Sequence, residues 1–449
     1  MSEALRGPAA TFPPAVLWPL ALVASVHLLT TPGQWLVTDQ AEYILVADRL
    51  LERGSLHLAE AGEAPRAALP WVMPPEEGQP QRSRLLPLTS IALVPFAAAD
   101  RVAASGLPPA SRPLVHLQGH VFVLAGLAVI GIALVQSRAA PSSIAVALVL
   151  TGLAWPIWQV SRRGGPEPVF VLLVAVFLLG RTRVEGRARG GRTLMSIACA
   201  LLPWGNPTGP ILSAALLAGA CAEQIWTGGD TRRLVVPFAS ALVSTVSLVL
   251  LWNVGYHEHW WLGGYAAYHS AAGSVVDPRS LLDGAWRHIT ATAKEAGLLI
   301  AVAGAGALAG RRREGAALLV PVGLVAAMLV MFAAFPHPEP TRRLAAAWPA
   351  WGYCAGRTMQ NLAAGPTARQ GVIALAAVIG FYGFWTTEGR YFAGPGGLFY
   401  PSVLWVRLWI ESAPAWQFLV PAAVLLAIMA VAASHTSRLI AFDGPAQSG

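Results

Sequence analysis

The sequence predicts an all-α polytopic membrane protein, and three observations lead there. The first is scarcity of charge. Asp, Glu, Lys and Arg make up only 12% of the 449 residues while 55% are hydrophobic, whereas soluble domains carry roughly 25% charge. The second is recurrence: apolar windows of near-spanning length follow one another along the chain, and each charge-poor stretch of about 18 or more residues is a candidate transmembrane helix. The third is an alternation of short basic connections with long loops that hold most of the 23 acidic residues, the pattern of a chain whose basic loops stay in the cytoplasm.

Taken in order, the apolar windows fall at about 15–36, 113–136, 141–160, 167–181, 193–204, 208–226, 234–253, 291–309, 315–335, 343–356, 370–385 and 414–434. This gives about 11–13 transmembrane helices, with twelve as the working number, both termini on one side, and a single membrane domain over 1–449. The first window ends in Leu29-Thr30-Thr31-Pro32-Gly33 rather than a small-residue cleavage site, so it reads as an uncleaved span. A further stretch, 85–99, carries Pro87 and Pro95 between Arg84 and Asp100 and reads as a broken, re-entrant segment.

Placing the N-terminus in the cytoplasm puts Arg181, Arg183, Arg187, Arg189, Arg192, Arg232, Arg233 and Arg311 to Arg313 in cytoplasmic connections. The long loops 37–112, 254–290 and 386–413 then share the outer face, and long structured loops in a compact protein usually carry function. A net charge of +8 invites a nucleic-acid reading, but only Lys294 is a lysine and no basic stripe lies on a soluble domain. Cys199, Cys221 and Cys354 have no CxxC spacing, which argues against a disulfide framework or zinc site. There is no Walker loop, G-x-S-x-G elbow or dinucleotide fingerprint.

Directly after the first span, Tyr43, Val46, Ala47 and Leu50 recur at helical spacing with charges between them, and Gly54 is a natural stop. This predicts an amphipathic helix over 39–53, lying on the outer membrane surface, with Asp39 at its start. That arrangement resembles the GT-C superfamily of polyprenyl-phosphate-dependent glycosyltransferases, bacterial mannosyltransferase and aminoarabinose-transferase types in particular. The family's D-E-P-x-Y-L-x-x-A-x-S-L-L-x-x-G-D-L stretch is matched by Asp39, Tyr43, Ala47, Leu50, Leu51, Gly54 and Leu56, with Gln40 and Ala41 departing from it. Further fragments follow in order: Arg84 to Pro95-Phe96; Pro156-Ile157-Trp158-Gln159-Val160-Ser161 with Glu167; Asn206-Pro207-Thr208-Gly209, where the family has Arg for Asn; Asn253 through Tyr265; and Thr341-Arg342-Arg343-Leu344 reaching Trp348-Pro349. The resemblance spans most of 15–360.

It implies a multi-pass enzyme of the bacterial inner membrane with its active site on the extracytoplasmic face. The expected reaction is inverting transfer of a sugar from a polyprenyl-phosphate donor to an acceptor glycan, lipid or protein. Asp39 and Glu167 would be the catalytic carboxylates, with Glu42, Tyr43, Arg84, Arg162, Arg163, Tyr265, Arg342 and Arg343 contacting substrate. No cofactor is expected, a divalent metal being the one alternative; the partners are the lipid-linked donor, the acceptor and membrane lipids, and not nucleic acid.

Each residue also has a plainer reading. Asp39-x-x-Glu42 has capping-box spacing. Glu167, read as an exposed loop residue at a helix start, would serve as a dipole partner. Arg162 and Arg163 suit a headgroup-level turn, while Arg342 and Arg343 at an outer helix entrance run against the positive-inside pattern and so favour a phosphate contact. His257 and His259 could ligate a divalent metal, but the H-x-H spacing in a loop better fits a wet polar turn. Two other functions compete: a transporter or flippase, which would want ionisable groups at mid-span, and a silent lipid-binding relative, kept open by Gln40 and Asn206.

Overall fold

The computed structural model describes residues 13–29, 38–60, 80–83, 85–103, 113–162, 165–257, 278–310, 312–334, 344–362, 369 and 371–380; the side chains of 38–41 and of a few other helical positions are not described. Arg84, Arg163, His259, Tyr265, Arg342, Arg343, the loop 386–413 and the expected last span at 414–434 lie outside the described residues.

The described chain is helical apart from one small two-stranded sheet. Helix α1 (Pro14–Leu29) is an apolar helix of 16 residues within the window expected for the first span. Helix α2 (Thr38–Arg53) covers the segment expected to be helical over 39–53. It is followed by an antiparallel pair, β1 (His57–Ala59) and β2 (Gln81–Arg82). Helix α3 (Pro87–Ala103) differs from the broken segment expected there: Pro87 opens it, and the helix runs unbroken through Pro95. Pro87 costs nothing at a first-turn position, where the missing N–H has no intrahelical partner anyway. Pro95 and Ile91, whose carbonyl would have accepted from residue 95, both sit on the exposed face.

Charged residues fix α2 and α3 to the bundle. Arg101 donates to the Asp48 carboxylate and backbone carbonyl and to Glu52, so α3 is clamped to α2. Next to Arg101 in the sequence, the fully buried Asp100 carboxylate accepts from the backbone N–H groups of Leu114 and Val115 at 3.0 and 2.8 Å. It thus caps helix α4 (Pro113–Gln136) from a neighbouring helix, satisfying two donors that would otherwise be orphaned. Tyr43, Ile44 and Ala47 of α2 close over Leu85, Leu93, Ala97 and Val115 in a separate apolar cluster.

Helices α5 (Pro141–Leu153), α6 (Trp155–Ser161) and α7 (Pro166–Glu185) continue the bundle, followed by α8 (Gly191–Leu201), α9 (Gly209–Thr227) and α10 (Val235–Ser247). A π turn, Leu248–Val254, extends α10. Helices Pro278–Ala309, Arg312–Ala316, Leu319–Ala334 and Trp348–Thr358 complete the described core, with a further short helix at Gly371–Gly380. Leu117–Gln136 and Thr231–Val254 are long and apolar enough to cross a bilayer alone, and α5 with α6 qualifies as one span bent by 65°.

Glycines let these helices approach closely, as expected where van der Waals packing rather than water exclusion holds helices together. A Cβ at Gly180 of α7 would meet the Gly191 carbonyl of α8 at 2.7 Å, and one at Gly191 would meet the Gly180 carbonyl at the same distance. At the end of the bundle away from α2, Arg181 pairs with Glu185 and Glu223, Arg357 pairs with Glu185 at 3.2 Å, and the Tyr353 hydroxyl bonds Thr182 at 2.7 Å. Both guanidinium groups lie about over the Tyr353 ring, 5.6 and 5.5 Å from its centroid. Buried charges are thus paired, stacked and hydrogen-bonded, as burial requires.

Candidate functional site

The α2 end of the bundle gathers two polar groups. The first begins with Pro156. Lacking an N–H, it cannot bond the Gly152 carbonyl four residues back, and α5 breaks at Ala154 into the 65° bend. His27 of α1 takes up the Gly152 carbonyl instead, donating from Nε2 at 2.8 Å. The His27 ring stacks near Trp158 of α6 and lies 6.2 Å from His120 of α4. Arg162, which closes α6, is buried within electrostatic reach of both histidines.

Glu167 corrects an expectation. It was read as an exposed loop glutamate, yet it is only 3% exposed. Gly165 supports the tight entry with φ 150°, a value that favours glycine, and Pro166 starts α7 at once, so Glu167 falls in the first helical turn. The bend lays α6 against α4, α7, the helix Pro278–Ala309 and the turn Ala345–Ala347. Its carboxylate still lies at the positive end of α7. Gln159 of α6 and Gln118 of α4 are also buried, and neither Gln159 Oε1 nor the Gln118 amide has a hydrogen-bond partner among the described residues.

The second group joins α2 to the hairpin and the π turn. Glu42 is 1% exposed and its Oε1 accepts from Ser83 Oγ at 2.8 Å. Trp252 and Tyr256, four residues apart, stack at 4.3 Å; His57 lies 5.4 Å from Tyr256, and Arg82 stands over the Tyr256 ring. The Tyr256 hydroxyl donates to the Leu56 carbonyl at 3.2 Å. His57 Nδ1 bonds Glu60 at 3.1 Å; hydrogen bonds from Ser55 and then His57 hold Glu60 below the usual carboxylate range.

His257 was expected in a wet polar turn. It is half-buried instead, edge-on to Trp252 and Tyr256. Burial lowers its pKa to about 4, the Arg82 charge adding to the effect and a hydrogen bond with the Ser83 backbone opposing it. Burial likewise pushes the Tyr256 phenol upward. Among the described residues no group of three His, Cys, Asp or Glu side chains is placed to hold a metal, and His259 lies outside them.

The described site therefore unites Glu42 with His257, and Arg162 with a histidine pair, while Tyr43 packs in the apolar cluster of α2. The backbone of Asp39 sits in the first turn of α2. Sequence reasoning passed over His27, His120, Ser83 and Tyr256. A histidine within the otherwise apolar Val26-His27-Leu28 and the pair Gln118 and His120 in α4 were the available clues, since polar side chains inside spans are costly and rare. Asn206 lies outside both groups as described: its side chain accepts from the Thr208 N–H and shapes the α8–α9 turn, where Gly209 presses on the Leu202 carbonyl.

No family model matches the chain, and no curated protein is similar to it in sequence at a significant level. Among solved structures it is similar to ArnT from Cupriavidus metallidurans bound to undecaprenyl phosphate, with a TM-score of 0.55 and 16% identity over 95% of this chain and 75% of that one. The apo form of the same protein gives a TM-score of 0.53 at the same identity and coverage. The chain is helical, carries helices apolar enough to cross a membrane, and shares the fold of that protein.

Proposed function

We propose that the protein is an inverting glycosyltransferase of the bacterial inner membrane, moving one sugar from a polyprenyl-phosphate donor to an extracytoplasmic acceptor. The observation that carries this reading is the fold likeness over 95% of the chain to a protein solved with undecaprenyl phosphate. It is supported by the place of Asp39, in the first turn of a helix that follows the first span after eight residues.

In this reading Asp39 accepts the proton of the acceptor hydroxyl as its oxygen attacks the anomeric carbon. The bond from that carbon to the donor phosphate oxygen breaks, its electron pair leaves with polyprenyl phosphate, and configuration inverts. Charge grows on the phosphate as the bond breaks, so a bidentate guanidinium there stabilises the transition state. Arg342 and Arg343 are the first candidates, with Arg84, Arg162 and Arg163 as further ones. Glu167 is assigned as the second catalytic carboxylate, and Glu42 and Tyr265 to sugar and acceptor contacts. Metal binding by His257 and His259 is not part of this mechanism.

The test compares lipid-linked sugars and envelope glycans in cells carrying no copy, the native gene, or Asp39→Asn. The amide keeps the size of the side chain but removes its basicity, so the protein should accumulate normally while turnover falls by about 10²–10⁴-fold. Near-normal turnover would return Asp39 to helix capping. Unchanged lipid-linked sugars with and without the native gene would overturn the reading as a whole.

A further inference from the structure

The end of the bundle opposite α2 holds a feature the transfer reaction does not use. A cavity of about 460 Å³ opens between the C-terminal end of α7, the start of α8 and the turn before α10. Its polar lining is Arg187, Arg192, Thr193 and Arg233, with no acidic residue among the lining side chains. It lies within the size range of small-ligand sites, roughly 300–1,000 Å³. A larger cavity beside it shares Arg187 and Arg233; of its three acids, Glu185 and Glu223 are engaged by Arg181 and Arg357, and Asp230 accepts from the Arg232 N–H.

Two of the arginines are anchored, Arg233 by its side chain and Arg187 by its backbone. Arg233 donates to the Val184 carbonyl at 3.1 Å, which anchors it across to α7; its contact with Asp230 is a loose 3.7 Å. Arg187 closes α7 in a Schellman arrangement, its own N–H bonding the Val184 carbonyl and the Ala188 N–H bonding the Arg183 carbonyl. This puts Arg187 at φ 55°, where glycine is the usual residue and a side chain is strained. The neighbouring Arg183 is turned away to Gln136. Beyond Arg233, Val235, Val236 and Phe238 present an exposed apolar face along α10.

We infer that this cavity binds the headgroup of an anionic phospholipid, its phosphate held by Arg187, Arg192 and Arg233 and its acyl chains lying along Val235, Val236 and Phe238. A positively charged chain end needs only scattered arginines; three of them around one acid-free cavity, beside a lipid-facing helix, form a site. Basic pockets between transmembrane helices on the cytoplasmic side recognise anionic headgroups by this combination of charge and adjacent apolar surface. The inference depends on the membrane fold and not on the proposed transfer reaction.

The experiment uses the full chain in neutral detergent and reads the shift in thermal midpoint as phosphatidylglycerol, phosphatidylcholine or inorganic phosphate is added. Phosphatidylglycerol should raise the midpoint at concentrations where the other two do not. Arg187→Gly and Arg192→Gln should each weaken the phosphatidylglycerol response about 10-fold or more, the worth of a hydrogen bond to a charged group. Arg187→Gly keeps the experiment decisive, because relieving the positive φ should leave the lipid-free midpoint equal or higher. Arg189→Gln removes a charge from the same stretch outside the cavity and should leave the response intact. Equal responses to both lipids, an equal response to inorganic phosphate, or equal losses in Arg189→Gln and Arg187→Gly would each overturn the inference.

Discussion

Pro156 and His27 show how a single residue shapes the mouth of the bundle. The proline removes one backbone donor, and a histidine from another span restores a partner for the Gly152 carbonyl. His257 shows the opposite economy, an imidazole kept neutral by burial beside aromatic rings and Arg82. Its folded pKa of about 4 lies below the ordinary 6.5, so between these values the unfolded chain binds the extra proton. Stability should therefore be insensitive to this group above about pH 6.5 and fall as pH drops from there toward 4. Thermal midpoints between about pH 7.5 and 4.5 should show a shallower acid slope in His257→Gln than in the native chain; identical slopes would assign the acid sensitivity elsewhere. The proposed phosphate contact is tested at the same scale. Arg→Ala at whichever of Arg342 and Arg343 holds the phosphate should cost about 1.5–3 kcal/mol in transition-state stabilisation. Arg→Lys there should cost less, since it keeps the charge and loses only the fork. Donor-dependent kinetics of the two single variants and the double decide it, and normal turnover by the double would direct attention to Arg84 or Arg162.

At the scale of elements, contact between backbones governs packing. Gly180 and Gly191 face one another so closely that α7 and α8 touch without side chains between them. Gly180→Val should destabilise the chain by about 1–3 kcal/mol, because the obstructing atom is a carbonyl that cannot swing aside. Gly304, in the helix Pro278–Ala309, has nothing within 4 Å of an added Cβ. Gly304→Ala should therefore be neutral or stabilise by up to about 1 kcal/mol through helix propensity. Thermal unfolding of the two variants beside the native chain gives the comparison. A Gly180→Val protein as stable as Gly304→Ala would mean the α7–α8 crossing adjusts freely.

At the scale of the whole molecule, the two ends of the bundle are chemically different. One carries α2, the hairpin, the π turn and the histidine pair; the other carries the paired arginines and the acid-free cavity. A chain inserted by the positive-inside pattern places the second end in the cytoplasm. Single cysteines introduced at Glu60 and Arg312 should then label from opposite sides of intact cells, Glu60→Cys from outside. Labelling from the same side would reverse or undo the orientation on which the extracytoplasmic active site depends.

The order of elements was legible in the sequence because hydrophobic periodicity and helix punctuation are local. The window 113–136 and the segment 39–53 coincide with α4 and α2 almost to the residue. Asp39, following the first span at the head of an amphipathic helix, was visible for the same reason. What the sequence could not state was which polar residues meet. Glu167 looked exposed because the bend at Ala154 brings α6 against α7 only in the folded chain, and His257 looked wet because its aromatic neighbours enclose it only once the π turn forms. The partnership of His27 with Gly152 joins residues 125 apart, and the Tyr256 hydroxyl reaches Leu56 across 200. Composition and periodicity determine that a segment is helical and apolar, but a buried polar atom takes whatever partner the packed helices bring within about 3 Å. That choice belongs to the tertiary structure alone.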